Sequence, residues 1–217
     1  MKRTTLLCLL SFLTAAGAQV APIPPGAHAP DSARPRRLKW EWRREEELSP
    51  SQSMAGMVNL SASERDHLLS AIAGELSDEE FESDEARKKA AAEARAKYVV
   101  LGADGRFEVI VQAVDVISCS GTGNCAFWIM RPRGDSYSPL LKAEAQTFTI
   151  QPTRTHGFYD IVLTRHDSAF ESEVKVYRFD GEHYQEGECY TAEWSQSGSD
   201  GKSHRLQDPR LTPCGAR

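Results

Sequence analysis

The spacing of hydrophobic positions changes character near residue 98. Upstream, Leu68, Leu69, Ile72, Ala73 and Leu76 recur at three- and four-residue intervals, the stripe of an amphipathic helix. Ser61 and Glu64 fit a capping box at its start, each side chain accepting from the other residue's free N–H. Ser77 with Glu80 carries the same signature for a second helix, in which Ala86, Ala90 and Ala94 form a narrow small-residue face among Arg87, Lys88, Lys89 and Arg95. Downstream, β-branched and aromatic residues dominate short runs at 107–117, 126–131, 147–150, 158–164, 173–179 and 182–190, which predict strands. Asp180-Gly181 separates the last two runs and tolerates the positive φ of a tight two-residue hairpin turn; Arg133-Gly134-Asp135 supplies a similar reversal. The pattern predicts an α+β fold, with N-terminal helices packed on an antiparallel β-meander.

The strand half echoes itself. Gly105-Arg106-Phe107-Glu108-Val109-Ile110-Val111 matches Gly157-Phe158-Tyr159-Asp160-Ile161-Val162-Leu163. Ile129-x-Arg131 with Gly134 and Tyr137 matches Val176-x-Arg178 with Gly181 and Tyr184. Two strand–loop–hairpin repeats are therefore expected, forming one meander or two blade-like sheets. The segment Val99-Val100-Leu101-Gly102-Ala103-Asp104-Gly105-Arg106-Phe107-Glu108-Val109 resembles, in degenerate form, the Asp-x-Asn-x-Asp-Gly-x-x-Glu stretch of FG-GAP or VCBS-type β-propeller repeats, here in the setting of an exported bacterial protein. The resemblance implies strand topology. In that family the leading acids supply calcium oxygens; here those positions are Val100 and Gly102, leaving Asp104, and in the second copy Pro152, Arg154 and His156. A hard cation needs several oxygen ligands, so no cofactor is expected.

The front of the chain reads differently. Lys2 and Arg3, the apolar run Thr4 to Thr14 and Ala16-Gly17-Ala18 read as a signal peptide over residues 1–18. Cys8 lies within the apolar run, away from any lipid-attachment context. No later run approaches the ~20 apolar residues of a membrane span, so no transmembrane segment is expected after cleavage. Residues 19–37 hold Pro22, Pro24, Pro25, Pro30 and Pro35 and read as an extended tether. A helical segment is expected over 38–97, opening with Trp40 and Trp42 among mixed charge, and a β domain over 98–217. Asn59-Leu60-Ser61 is a formal glycosylation sequon.

With 26 basic against 31 acidic residues the chain carries −5; loss of Lys2 and Arg3 with the leader makes this −7. That sign argues against nucleic acid and anionic lipid as partners. Cys119, Cys125, Cys189 and Cys214 remain after the leader, an even count that in an exported chain points to disulfides and a secreted or periplasmic location. Three pairings are possible; Cys119–Cys125 and Cys189–Cys214 are favoured, the first closing a glycine-rich loop and the second tying a polar tail to the last strand. Metal binding by the four is the alternative, but neither pair has Cys-x-x-Cys spacing.

No nucleophile elbow, zinc-binding His pair or dinucleotide fingerprint is present. Gly201-Lys202-Ser203 resembles the end of a phosphate loop, but Gln196 stands where the earlier glycine belongs. Arg154, His156, Asp160, Arg165, His166, Asp167, Ser168 and Glu171 form a polar cluster. In it, His156, His166 and Asp167 are the candidate metal ligands for an alternative reading, a metal-assisted hydrolase. The two histidines flank one predicted strand, more than ~20 Å apart at ordinary strand rise. Asp160 lies among apolar residues, where Arg178 is a candidate partner. Trp128, Tyr137, Tyr184, Tyr190 and Trp194 read as packing or as an aromatic face for sugar or protein. The favoured reading is a non-catalytic binding protein with a protein or glycan partner, presenting Ser120, Thr122 and Asn124 on the stapled loop. A lysozyme-type hydrolase inhibitor is its concrete form, and a structural accessory of an envelope assembly is a further alternative.

Overall fold

The computed structural model describes residues 53–57, 59–76, 79–114, 117–197, 201 and 203–215. The leader at 1–18, the tether at 19–37, the Trp40–Trp42 segment, Ser77 and Lys202 lie outside the described residues. Helix α1 spans Ala62–Glu75 and begins with the expected capping box: Glu64 N–H donates to Ser61 Oγ at 3.2 Å and Ser61 N–H to Glu64 Oε2 at 2.8 Å. Its predicted stripe is the buried face, with Leu68 and Ile72 wholly covered. Helix α2 runs Asp84–Glu93 and starts later than the sequence pattern suggests. Ser83 caps it, accepting from Ala86 N–H at 3.2 Å, while Glu79 and Glu80 lie in a turn. Phe81, buried between turn and helix, explains the delay: continuing the helix back to Ser77 would compete with seating this ring in the core.

Among the described residues nine strands follow: β1 Arg95–Val99, β2 Glu108–Gln112, β3 Cys125–Arg133, β4 Ser136–Ala145, β5 Thr147–Thr155, β6 Phe158–His166, β7 Glu171–Phe179, β8 Tyr184–Ser197 and β9 Ser203–Pro213. They form two antiparallel sheets, β1-β2-β3-β4 and β5-β6-β7-β8-β9, each with strands in chain order. The architecture is α+β. Three strands lie where the sequence pattern shows none. β1 occupies residues expected to end a helix, and β4 carries Pro139 at an irregularity opposite Ile129 and Met130, where a missing N–H is tolerated. β9 is the polar tail itself, paired along β8.

Burial explains the two kinds of strand pattern. One face of the first sheet (Val109, Val111, Trp128, Met130) packs on Met54, Met57 and the helices. Its other face (Ile110, Phe127, Ile129, Leu141) meets Phe148, Ile161, Leu163, Phe179 and Tyr184 of the second sheet. Buried on both sides, β2 carries the apolar run Val109-Ile110-Val111; β7, with one face toward water, alternates as far as Val176, where its pairing with β8 shifts register. The layers are thus helices, sheet, sheet, each interface removing large apolar side chains from water.

Candidate functional site

Cys119–Cys125 and Cys189–Cys214 form the two disulfides, spanning 6 and 25 positions. Within the first loop, Ser120 N–H donates to Asn124 O at 2.7 Å and Gly123 N–H to Ser120 O at 2.9 Å. Gly123 has φ 84°, a left-handed conformation glycine adopts without a Cβ penalty. Ser120 Oγ and Thr122 Oγ1 are 2.8 Å apart on the exposed side. Asn124 turns inward and is 3% exposed. Its Nδ2 donates to His166 O and to Thr122 Oγ1, both at 2.9 Å, while its Oδ1 accepts from His166 N–H at 2.7 Å. One amide therefore holds a loop of the first sheet to the end of β6 in the second. Of the three loop residues expected to face a partner, Ser120 and Thr122 are exposed, and Asn124 acts as the anchor beneath them.

This loop forms one wall of a groove of about 520 Å³. The opposite wall is the C-terminal end of α1 (Glu75, Leu76) with Glu80; Trp128, Lys142 and Glu144 complete the lining. Lys142 Nζ donates to Glu75 O at 2.8 Å and lies 3.4 Å from Glu75 Oε2. Among the described residues lining the groove, three carboxylates and one ammonium make a net negative rim, with Arg165 Nη1 3.7 Å from Glu144 Oε2 beside it. The buried Trp128 indole N–H has no hydrogen-bond partner. Sequence reading misses the groove because its residues come from separate elements, and each charged one resembles an ordinary surface position.

The polar cluster of 154–171 does not converge. His156 lies in the turn before β6 and His166 is the last residue of that strand, so the two imidazoles are at opposite ends of it. Each approaches a carbonyl: His156 Nδ1 is 2.8 Å from Phe179 O, and His166 Nδ1 is 3.4 Å from Thr122 O. Asp167 follows in the loop, where its N–H donates to Glu171 O. Among the described residues, the one trio of metal-ligating types within ligand distance is Glu173, Cys189 and Cys214, and both its sulfurs belong to a disulfide.

The acids of the segment carrying the repeat resemblance converge on a guanidinium. Arg131 Nη2 lies 2.8 Å from Asp104 Oδ2 and 2.9 Å from the fully buried Glu108. Leu101 N–H donates to Glu108 Oε2 at 2.9 Å. Arg131 also stacks over Phe158, 4.7 Å from its centroid, linking β3 to β6. Burial pushes the Glu108 carboxyl above its ordinary value; the Leu101 N–H and then the positive charge of Arg131, which is shared with Asp104, oppose this only in part. Asp160 differs from expectation. It accepts from Thr153 and Thr155 hydroxyls at 2.6 and 2.7 Å, while Arg178 pairs with Glu188 at 2.5 Å. Two flanking threonines on β5 reach the acid directly, so it needs no guanidinium. Of the five aromatics, Trp128 and Tyr184 are core, with Tyr184 Oη donating to Tyr159 O, and Tyr190 donates to Glu188. Comparison with known protein families, curated proteins and solved structures found no match.

Proposed function

We propose that this chain is an exported, non-catalytic binding protein whose disulfide-closed loop and adjoining groove engage a basic protein partner. The observation that carries the reading is the paired hydrogen bonding of Asn124 to the His166 backbone, which holds loop 119–125 in one shape before any partner arrives. A loop already ordered loses little conformational freedom on association, so more of its contact energy appears as affinity. The net negative groove and the chain charge of −5 suit a partner rich in Lys and Arg, since complementary charge speeds encounter. The leader-like start and the two disulfides support a secreted or periplasmic setting.

Matching positions also support a two-unit construction of the FG-GAP or VCBS kind. Gly105 and Gly157, both with positive φ, precede β2 and β6. Gly134 and Gly181, likewise positive, turn β3 into β4 and β7 into β8. Glu108 and Asp160, the buried acids, occupy equivalent places in the two copies.

In its concrete form, the loop inserts into the cleft of a basic hydrolase such as a lysozyme. The test is inhibition of a basic lysozyme by the wild type and by the Cys119→Ser/Cys125→Ser variant under non-reducing conditions. Inhibition that weakens in the variant supports the reading. No inhibition by the wild type removes the inhibitor form, and equal inhibition by both removes the loop.

A further inference from the structure

A second groove, of about 330 Å³, opens at the other end of α1, about 20 Å from the first at 1.5 Å of helix rise per residue. Tyr98, Phe107, Pro132 and Tyr137 give it an apolar wall, and Asn59 and Glu64 a polar rim. Phe107 is 60% exposed, unusual for a ring on a folded domain, and meets Tyr98 edge-to-face with centroids 6.2 Å apart. The two ring planes stand at 78° to each other and form a corner. The Tyr98 hydroxyl is buried without a hydrogen-bond partner. Glu64 Oε2 accepts from Ser61 N–H at the groove rim, and as an exposed carboxylate it has further lone pairs with which to accept from a ligand.

Among the described residues lining this groove the one charge is Glu64, and Arg65 lies outside the lining. Glu64 acts electrostatically on both phenols, and Arg65 opposes it at Tyr98. The Arg65 guanidinium is anchored on Met57 O and Leu60 O at 3.1 and 3.4 Å. An anionic ligand is repelled by Glu64, and Arg65, close enough to act on Tyr98, offsets part of the attraction for a cationic one. A proline-rich peptide would fill the aromatic corner, but its prolines carry no N–H to donate to Glu64. A neutral sugar satisfies every feature. The C–H face of a pyranose packs on a ring, and its hydroxyls both donate and accept, serving Glu64 and Asn59 together.

We infer that this groove is a binding site for a neutral saccharide, stacked on Phe107 and hydrogen-bonded to Glu64 and Asn59. The site is independent of the loop reading above, because no residue is shared between the two grooves.

The experiment is titration of the full chain with cellotriose, maltotriose and N,N′,N″-triacetylchitotriose, followed by ligand-observed NMR and calorimetry. Glucuronic acid, glucosamine and a decaproline peptide serve as comparison ligands. At least one neutral trisaccharide is expected to bind saturably and better than the charged sugars and the peptide. Phe107→Ala, at an exposed position that leaves the core intact, is expected to weaken that binding roughly tenfold. Glu64→Gln, which keeps an acceptor for Ser61 N–H, should weaken it severalfold. The inference is overturned if no trisaccharide saturates at about 10 mM, where a dissociation constant of order 1 mM would register. It is equally overturned if Phe107→Ala binds like the wild type, or if decaproline or a charged sugar binds more tightly than every trisaccharide.

Discussion

Replacing Asn124 by alanine should destabilise the protein far more than an ordinary loop substitution. The side chain makes three hydrogen bonds, at 2.7, 2.9 and 2.9 Å, and is 3% exposed. Each such bond contributes about 0.5–1.5 kcal/mol net. The truncation also strips the N–H and C=O of His166 of their partners, but these lie at a strand end that water reaches in part. The sum expected is about 2–3 kcal/mol, or roughly 4–12 °C in melting temperature for a domain of this size. Asn124→Asp separates hydrogen bonding from volume. Its carboxylate still accepts from His166 N–H but faces His166 O with no proton to donate, so at neutral pH it should lose most of the same stability. Protonation restores a donor, so the deficit should shrink as pH falls through the folded-state value of the new carboxyl. Denaturant unfolding followed by circular dichroism, with both disulfides intact, measures these differences. An alanine variant within about 0.5 kcal/mol of wild type, the usual range of surface substitutions, would refute the anchoring role of this amide.

Four further outcomes follow from the core and the disulfides. The Glu108 carboxyl titrates above its ordinary 4.5 in the folded state, so the folded chain holds this proton more tightly than the unfolded one. Stability relative to Glu108→Gln should therefore fall as pH rises from about 4.5 through the raised value and then level off; a difference that grows with pH would show the reverse shift. Glu108→Ala should cost about 3 kcal/mol in denaturant unfolding, the low end for breaking a buried pair because Asp104 still faces Arg131. Replacing Cys189 and Cys214 together by serine should lower stability by about 3.5 kcal/mol, against about 2.4 for Cys119 and Cys125, from the loop lengths closed; thermal melts of the two double variants test the order. Gly102→Ala would bring a Cβ within 2.9 Å of the Phe158 ring and 2.6 Å of Asp104 Oδ1, where overpacking costs about 1–3 kcal/mol; unchanged unfolding would mean that the two sheets can separate there without penalty.

Local signals fixed only what local chemistry can fix. The capping box at Ser61 and Glu64, the apolar stripe of α1 and the glycine turn at 134 are each written within a few residues, and each forms where the sequence pattern puts it; the reversal at Gly181 also forms, but as a four-residue loop, 180–183, closed by Asp180 N–H on His183 O, rather than as a two-residue turn. The alternation of β7 and the unbroken apolar run of β2 likewise register how many faces of each strand are covered. Whatever depends on a partner distant in sequence was decided by the tertiary structure. β1, β4 and β9 have weak strand patterns of their own and become strands through the neighbours that accept their hydrogen bonds. Asn124 is an ordinary loop residue until β6 comes beside it, 42 positions later in the chain. Asp160 finds hydroxyls rather than the arginine expected, and Arg131 gathers two acids that the sequence separates from it, because strand register sets which side chains share a face. Both grooves arise in the same way, at the two ends of one helix laid across a sheet, where side chains from several elements meet around space that no single segment encodes.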